Sequence, residues 1–188
     1  PPSRRFDGSE IRFLFVGRLA EKKDPLSLID SFRRTKAELL PLRSSLTIVG
    51  DGPLRAEVES AVSERGLNDC VTLLGRQTHD EVIRQYSLAH IYVQSSVTAP
   101  NGDEEGLPVS ITEALAAGLP VISTRHSGIP EAVHENICGL LVNEKDTSGM
   151  ADCMVKLAND IALCDQFGSA GRQLLEAEFA TTVVQKRL

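Results

Sequence analysis

Short apolar runs alternate with longer stretches of helical period along almost the whole chain. Residues 11–16 (IRFLFV), 46–49 (LTIV), 71–74 (VTLL), 91–94 (IYVQ), 121–123 (VIS) and 139–142 (GLLV) are nearly continuous in apolar side chains. Runs of this kind, rich in Val and Ile, predict parallel strands covered on both faces. Between them the period lengthens. Asp24 caps an expected helix with Pro25 at its first position and Leu26, Ile29 and Phe32 along one side. A second helix follows Pro53, with Leu54, Val58, Ala61 and Val62 turned inward. Thr78 with Glu81 predicts a capping box ahead of Val82, Ile83 and Tyr86. Ser110 with Glu113 predicts another ahead of Ala114, and Gly118 and Pro120 stop that helix. Pro130 opens a short helix, and later helices are expected over about residues 148–159 and 166–178.

Strand and helix alternating this regularly predict an α/β domain, a Rossmann-like parallel sheet of about six strands with helices on both faces. Residues 1–188 are expected to form one domain, without repeats or long linkers. Ligands of such sheets bind beyond the carboxyl ends of the strands. The loops that matter are therefore 17–24, 50–53, 75–78, 95–109 and 124–130.

Composition narrows the function. Hydrophobic residues are 41% and charged residues 24%, ordinary for a globular protein. With 20 basic against 26 acidic residues the net charge is −6, which argues against nucleic acid as the partner. No apolar run approaches the roughly 20 residues of a membrane-spanning helix, and no signal peptide is visible. Cys70, Cys138, Cys153 and Cys164 form no C-x-x-C pair, which favours a reduced, cytoplasmic chain with small buried thiols. His79, His90, His126 and His134 form no H-E-x-x-H pair, so no metal site is expected. The start at Pro1, without methionine, suggests a piece of a longer protein.

The loops carry the candidate chemistry. Loop 17–24 places two cations, Arg18 and Lys23, between a strand end and a helix start, where anions gather; a solvated surface loop is the plainer reading. The turn Gly50-Asp51-Gly52-Pro53 has two glycines where backbone could approach a ligand, or it is simply a turn. It is not G-x-G-x-x-G, and no G-x4-G-K-[ST] loop exists, so dinucleotide and P-loop chemistry are disfavoured. Residues 101–113 concentrate acids, glycines and Pro108 before a helix whose first turn carries Glu113. Carboxylates accept from vicinal sugar hydroxyls, and the N–H groups of Gly106, Leu107, Val109 and Ser110 are the available donors. Against this, Glu113 could serve only the cap, and Glu104 and Glu105 could be loop charges in water.

Taken together the loops resemble the retaining glycosyltransferases of the GT-B fold, family 4. Val16-Gly17-Arg18-Leu19 followed by Lys23 resembles that family's G-R-L-x3-K element. The run Ile48-Val49-Gly50-Asp51-Gly52-Pro53 resembles its V-G-x-G-P turn, and Leu73-Leu74-Gly75-Arg76 its F-L-G strand end. Glu105 and Glu113 stand as E-x7-E inside E-G-L-P-x4-E-A-L-A. The segment from His126 to Glu131 (HSGIPE) is similar to bacterial exopolysaccharide transferases. Many relatives have glycine where this chain has Pro108.

The resemblance implies a nucleotide-sugar-binding, C-terminal half of a two-domain enzyme whose N-terminal acceptor domain is absent here. It implies that Arg18 and Lys23 contact the donor diphosphate, with Gly17 beside them. Glu105 would face the transferred sugar with the Gly106, Leu107, Pro108 and Val109 segment, and Glu113 would take the ribose. Gly75 and Arg76 would meet the base, and Gly50, Gly52 and Pro53 would line the nucleotide pocket. Arg18, Lys23 and Glu105 are the candidate catalytic residues. The implied donor is a UDP-sugar, for example UDP-glucose, with GDP-mannose next. The implied acceptor is a saccharide or lipid-linked saccharide, which would bring the full-length enzyme to the inner face of the membrane. No cofactor or metal is implied. The alternatives are a GT-B nucleotide-sugar epimerase and a non-catalytic nucleotide-sugar-binding domain; the fragment alone is expected to be inactive.

Overall fold

The computed structural model describes residue 6 and residues 8–185, with side chains up to residue 178. Among these residues six strands form one sheet: β1 (Glu10–Val16), β2 (Arg43–Val49), β3 (Val71–Gly75), β4 (Ile91–Gln94), β5 (Val121–Thr124) and β6 (Gly139–Val142). All neighbours pair parallel in the order β3-β2-β1-β4-β5-β6. The order reverses between β1 and β4, so the crevice for a ligand opens where the loops after those two strands diverge. Every predicted strand is present, each within three residues of its expected bounds.

Among the described residues seven α-helices cover the sheet: α1 (Pro25–Glu38), α2 (Arg55–Glu64), α3 (His79–Leu88), α4 (Val109–Ala116), α5 (Ile129–Ala132), α6 (Thr147–Asn159) and α7 (Ile161–Gln185). One buried cluster joins Phe13 and Phe15 of β1 to Leu28, Ile29 and Phe32 of α1, Val58 of α2 and Met154 of α6. Each such fully buried side chain contributes about 1.5–3 kcal/mol. A second cluster, on the other face, joins Leu14, Tyr92 and Val121 to Tyr86 of α3, Ile111 and Leu115 of α4 and Ile129 of α5. Helix α7 starts against the first cluster through Cys164 and Phe167 and reaches the second through Leu175.

Local signals act as expected at several ends. The Asp24 side chain accepts from the Ser27 N–H at 3.3 Å, and Pro25 follows at the first helical position. Thr78 caps α3 by accepting from the Glu81 N–H at 3.3 Å. Two expectations differ. Only half of the Thr78–Glu81 box forms, because the Glu81 carboxylate takes Arg84 and Gln85 instead, which hold its pKa at about 2. On α3, Gln85 and Tyr86 are the buried side chains, while Ile83 is 52% exposed. The last helix is longer than predicted: Gly168 and Gly171 dilute its apolar pattern, yet both serve packing. A Cβ on Gly168 would overlap the Gly118 carbonyl oxygen, and one on Gly171 would press on Leu115 and Cys138.

Candidate functional site

The loops after β1, β2 and β3 are laced together by main-chain hydrogen bonds. Gly17 N–H donates to Val49 (2.9 Å), Leu19 N–H to Asp51 (3.0 Å), Leu54 N–H to Leu19 (3.0 Å) and Gly50 N–H to Gly75 (2.8 Å). Gly50 sits at φ +131°, and a Cβ there would overlap the Gly17 carbonyl; one on Gly52 would overlap the backbone of Leu19. These glycines were read as places where backbone could approach a ligand. What they demonstrably permit is the approach of one loop to its neighbour. Gly75 also has positive φ (+67°) and lies against the Arg55 guanidinium.

An open cleft of about 540 Å³ is lined by Arg18, Asp51, Gly52, Pro53 and Arg76. Arg18 and Arg76 are both exposed, and neither side chain has an ion-pair partner among the described residues. Lys23 is placed differently. It ends a short 3₁₀ turn (Glu21–Lys23) and is buried, with its Nζ 2.8 Å from Oε2 of Glu105. Burial pushes its pKa down, and the Glu105 carboxylate opposes that shift. Nearby, Lys22 meets Asp103 at 3.1 Å and the Lys22 carbonyl accepts from the Val97 N–H, so two lysines of the first loop face two acids of loop 95–108.

Glu105 is held on both oxygens. Its Oε1 accepts from the Ser96 hydroxyl at 2.7 Å and from Nε2 of Gln94 at 3.4 Å, while Oε2 takes Lys23. Beyond it, Gly106 and Leu107 are exposed, Pro108 is buried, and Val109 is 70% exposed. The N–H groups of Gly106, Leu107 and Val109 have no acceptor among the described residues, so they remain donors at the mouth of α4.

The capping box read for Ser110 and Glu113 does not form. Helix α4 starts two residues earlier than that box requires: its N-cap position is Pro108 instead of Ser110, and no side chain caps it. Inside the first turn, the Ser110 hydroxyl donates to Oε1 of Gln94 at 2.9 Å. Oε2 of Glu113 accepts from the Tyr86 hydroxyl at 3.0 Å. Burial, then the nearby Tyr92 and Glu113, push the Tyr86 pKa up, so it stays a donor. Glu113 is thus tied to α3, half-exposed, with acceptor capacity left over.

Sequence reasoning missed four residues that build this site. Gln94 and Ser96 are fully buried at the end of β4, and His126 is 2% exposed at the end of β5. Nδ1 of His126 lies 2.6 Å from Glu144, whose other oxygen accepts from the Thr98 N–H at 3.1 Å. Nε2 of His126 is 3.5 Å from the Glu105 N–H, a contact that requires an unprotonated Nε2. Loop 95–108 is thereby pinned near both ends by Glu144 and His126. The available signal was polarity: a glutamine and a serine closing an apolar strand at the switch point. Among the described residues no group of three or more His, Cys, Asp or Glu side chains is gathered as for a metal ion, and all four cysteines are free.

The fold and this cleft define a Rossmann-like α/β domain of the GT-B kind, with a cationic and carboxylate-bearing crevice at its switch point. Residues 1–174 match the family model described as "Glycosyl transferases group 1", and the chain belongs to that family. It is 36% identical over 178 residues to the amylovoran biosynthesis glycosyltransferase AmsK of Erwinia amylovora, covering 95% of this chain and 43% of that protein. To the putative colanic acid biosynthesis glycosyltransferase WcaL of Escherichia coli it is 32% identical over 179 residues, covering 95% and 44%. The chain therefore spans less than half the length of these two relatives, and the resemblance to exopolysaccharide-type transferases holds. Among solved structures, HepE of Anabaena in complex with UDP-glucose superposes with a TM-score of 0.77 at 22% identity, over 95% of this chain and 47% of that one. At that identity the likeness is one of fold.

Proposed function

We propose that the chain binds the nucleotide-sugar donor for retaining, metal-independent glycosyl transfer. The observation that carries this reading is the Lys23–Glu105 pair at the switch point, beside a cleft bearing two unpaired guanidiniums. Lys23 spends one N–H on Glu105 and keeps two for diphosphate oxygens. Arg18 offers a planar fork to the same group. As the glycosidic C–O bond breaks, negative charge grows on the departing diphosphate. Arg18, Lys23 and the free N–H groups before α4 are already in place to stabilise it. Glu105, with the Gly106–Val109 segment, holds the sugar; Glu113 takes the ribose hydroxyls; Gly75, Arg76, Gly52 and Pro53 enclose the nucleoside.

A UDP-sugar is the proposed donor, in keeping with the UDP-glucose held by HepE, and a saccharide or lipid-linked saccharide the proposed acceptor. The proposed pathway is polysaccharide biosynthesis, in keeping with the names of AmsK and WcaL; the proposed setting is the cytoplasmic side, with a lipid-linked acceptor drawing the whole enzyme to the membrane surface. No helix among the described residues is long and apolar enough to cross a membrane.

Calorimetric titration with UDP-glucose, UDP-galactose, UDP-N-acetylglucosamine and GDP-mannose tests the reading. One of the four is expected to bind, and Glu113→Ala to weaken that binding about tenfold, the size of one lost charged hydrogen bond. Indifference to all four sugars would overturn it.

A further inference from the structure

We propose that Gln94 is a positioning residue that locks the two carboxylates of the donor site, Glu105 and Glu113, into one hydrogen-bonded frame. The inference rests on the donor-site reading given above. Gln94 is the last residue of β4, wholly buried, and all four of its polar valences are used. Its Oε1 accepts from the Tyr92 hydroxyl at 2.7 Å and the Ser110 hydroxyl at 2.9 Å. Its Nε2 donates to the Ser96 hydroxyl at 2.8 Å and to Oε1 of Glu105 at 3.4 Å. Ser96 passes its own proton to that same carboxylate oxygen at 2.7 Å.

The orientation of the amide follows from charge. Rotated by half a turn, Gln94 would turn its carbonyl oxygen toward the Glu105 carboxylate, two acceptors facing each other. Glu105 therefore selects the amide orientation, and the amide in turn fixes where Tyr92 and Ser110 direct their protons. Burial pushes the Tyr92 pKa up and keeps its hydroxyl a donor. The frame continues through Ser110. Its carbonyl accepts from the Tyr86 hydroxyl at 3.0 Å, and that hydroxyl also reaches Glu113 at 3.0 Å. One buried amide thus links the residue facing the sugar to the residue facing the ribose, across the start of α4.

There is a consequence for Glu105. A carboxylate has about four acceptor positions. Ser96, Gln94 and Lys23 occupy three, which leaves one, on Oε2, for a ligand hydroxyl. The carboxylate is held rigid and aimed, so its contribution is to the sugar part of the donor, and it depends on Gln94 remaining in place.

The experiment compares UDP with UDP-glucose (GDP with GDP-mannose if that is the sugar selected) by calorimetry, on the wild-type chain, Gln94→Met and Ser96→Ala. Methionine keeps the buried volume and deletes all four bonds; alanine deletes one donor to Glu105 and the acceptor of one Gln94 N–H. The expected result is that Gln94→Met weakens UDP-glucose about tenfold or more while UDP changes less than about threefold, with Ser96→Ala in the same direction and smaller. The affinity ratio is the readout, since a general loosening of the fold lowers both affinities together. An unchanged ratio in both variants overturns the proposal and leaves the donor site standing. If Gln94→Met does not fold, Ser96→Ala decides alone. A wild-type chain that binds UDP and UDP-glucose equally also overturns it, because Glu105 then holds no sugar. Binding of neither nucleotide nor sugar nucleotide overturns the donor-site reading itself.

Discussion

Two carboxylates at the edge of the crevice carry different physical burdens. Glu105 neutralises a buried lysine, so Glu105→Gln leaves Lys23 without its counter-charge in a place water barely reaches. Breaking a buried pair from one side costs about 3–5 kcal/mol; with a little exposure on each side, roughly 2–3 kcal/mol is expected here, read as a lower urea midpoint. Glu144 shows its burden through pH. Burial raises its pKa, but the His126 ring, the Thr98 N–H and Lys145 together hold the carboxyl below its ordinary 4.5. A carboxylate whose folded value is depressed stabilises fully above the unfolded value and loses that share as pH falls through the folded one. The wild-type advantage over Glu144→Gln in urea midpoint should therefore be complete well above the ordinary 4.5 and be lost as pH falls below it. A difference that stays constant across that range would mean the ionised carboxylate contributes nothing.

Elements and their junctions test the glycines. Gly50→Ala must overlap the Gly17 carbonyl and adopt a φ that side chains avoid, so about 3 kcal/mol or more of stability should be lost. Gly168→Ala sets two effects against each other. Alanine gains about 1 kcal/mol of helix propensity, but its Cβ meets the rigid backbone at Gly118, so net destabilisation is expected. Gly106 is the contrast: no atom lies within 4 Å of a Cβ built there. Gly106→Ala should leave the unfolding free energy from urea titration within about 0.5 kcal/mol of wild type, so a fall in donor affinity there would report a ligand lying close to this backbone. These cases also mark what the sequence could tell. The strands were legible because continuous apolar runs have few uses other than a covered parallel sheet, and Asp24-Pro25 is a local cap signal that nothing distant overrides. Ser110 and Glu113 matched a cap pattern and were claimed by side chains far along the chain, Gln94 and Tyr86. Spacing cannot see such partners. Arg18, Lys23 and Glu105 were legible as charged residues in loops at the carboxyl ends of the strands, but not the division between an exposed arginine and a lysine buried against its acid.

At the scale of the molecule the question is how much of a transfer reaction this chain can perform. The crevice at the switch point gathers the groups proposed to grip a diphosphate and a sugar, and all come from loops of one sheet. Transfer needs more: an acceptor hydroxyl held about 3–3.5 Å from the anomeric carbon, with water kept out. Leu107 and Val109 lie exposed beside Glu105, so that side of the site is open. The chain also spans only 43% of AmsK and 44% of WcaL. Donor binding without transfer is therefore expected of the 188-residue chain. With radiolabelled UDP-glucose and saccharide acceptors, label transfer should stay at the no-protein background, while calorimetry on the same preparation detects the donor. Adding EDTA should change that affinity by less than about twofold, since Arg18, Lys23 and main-chain N–H groups would carry the diphosphate charge. Robust turnover by this chain alone would mean that the acceptor site lies within it. An affinity abolished by EDTA would mean that a metal ion, and not these cations, holds the diphosphate.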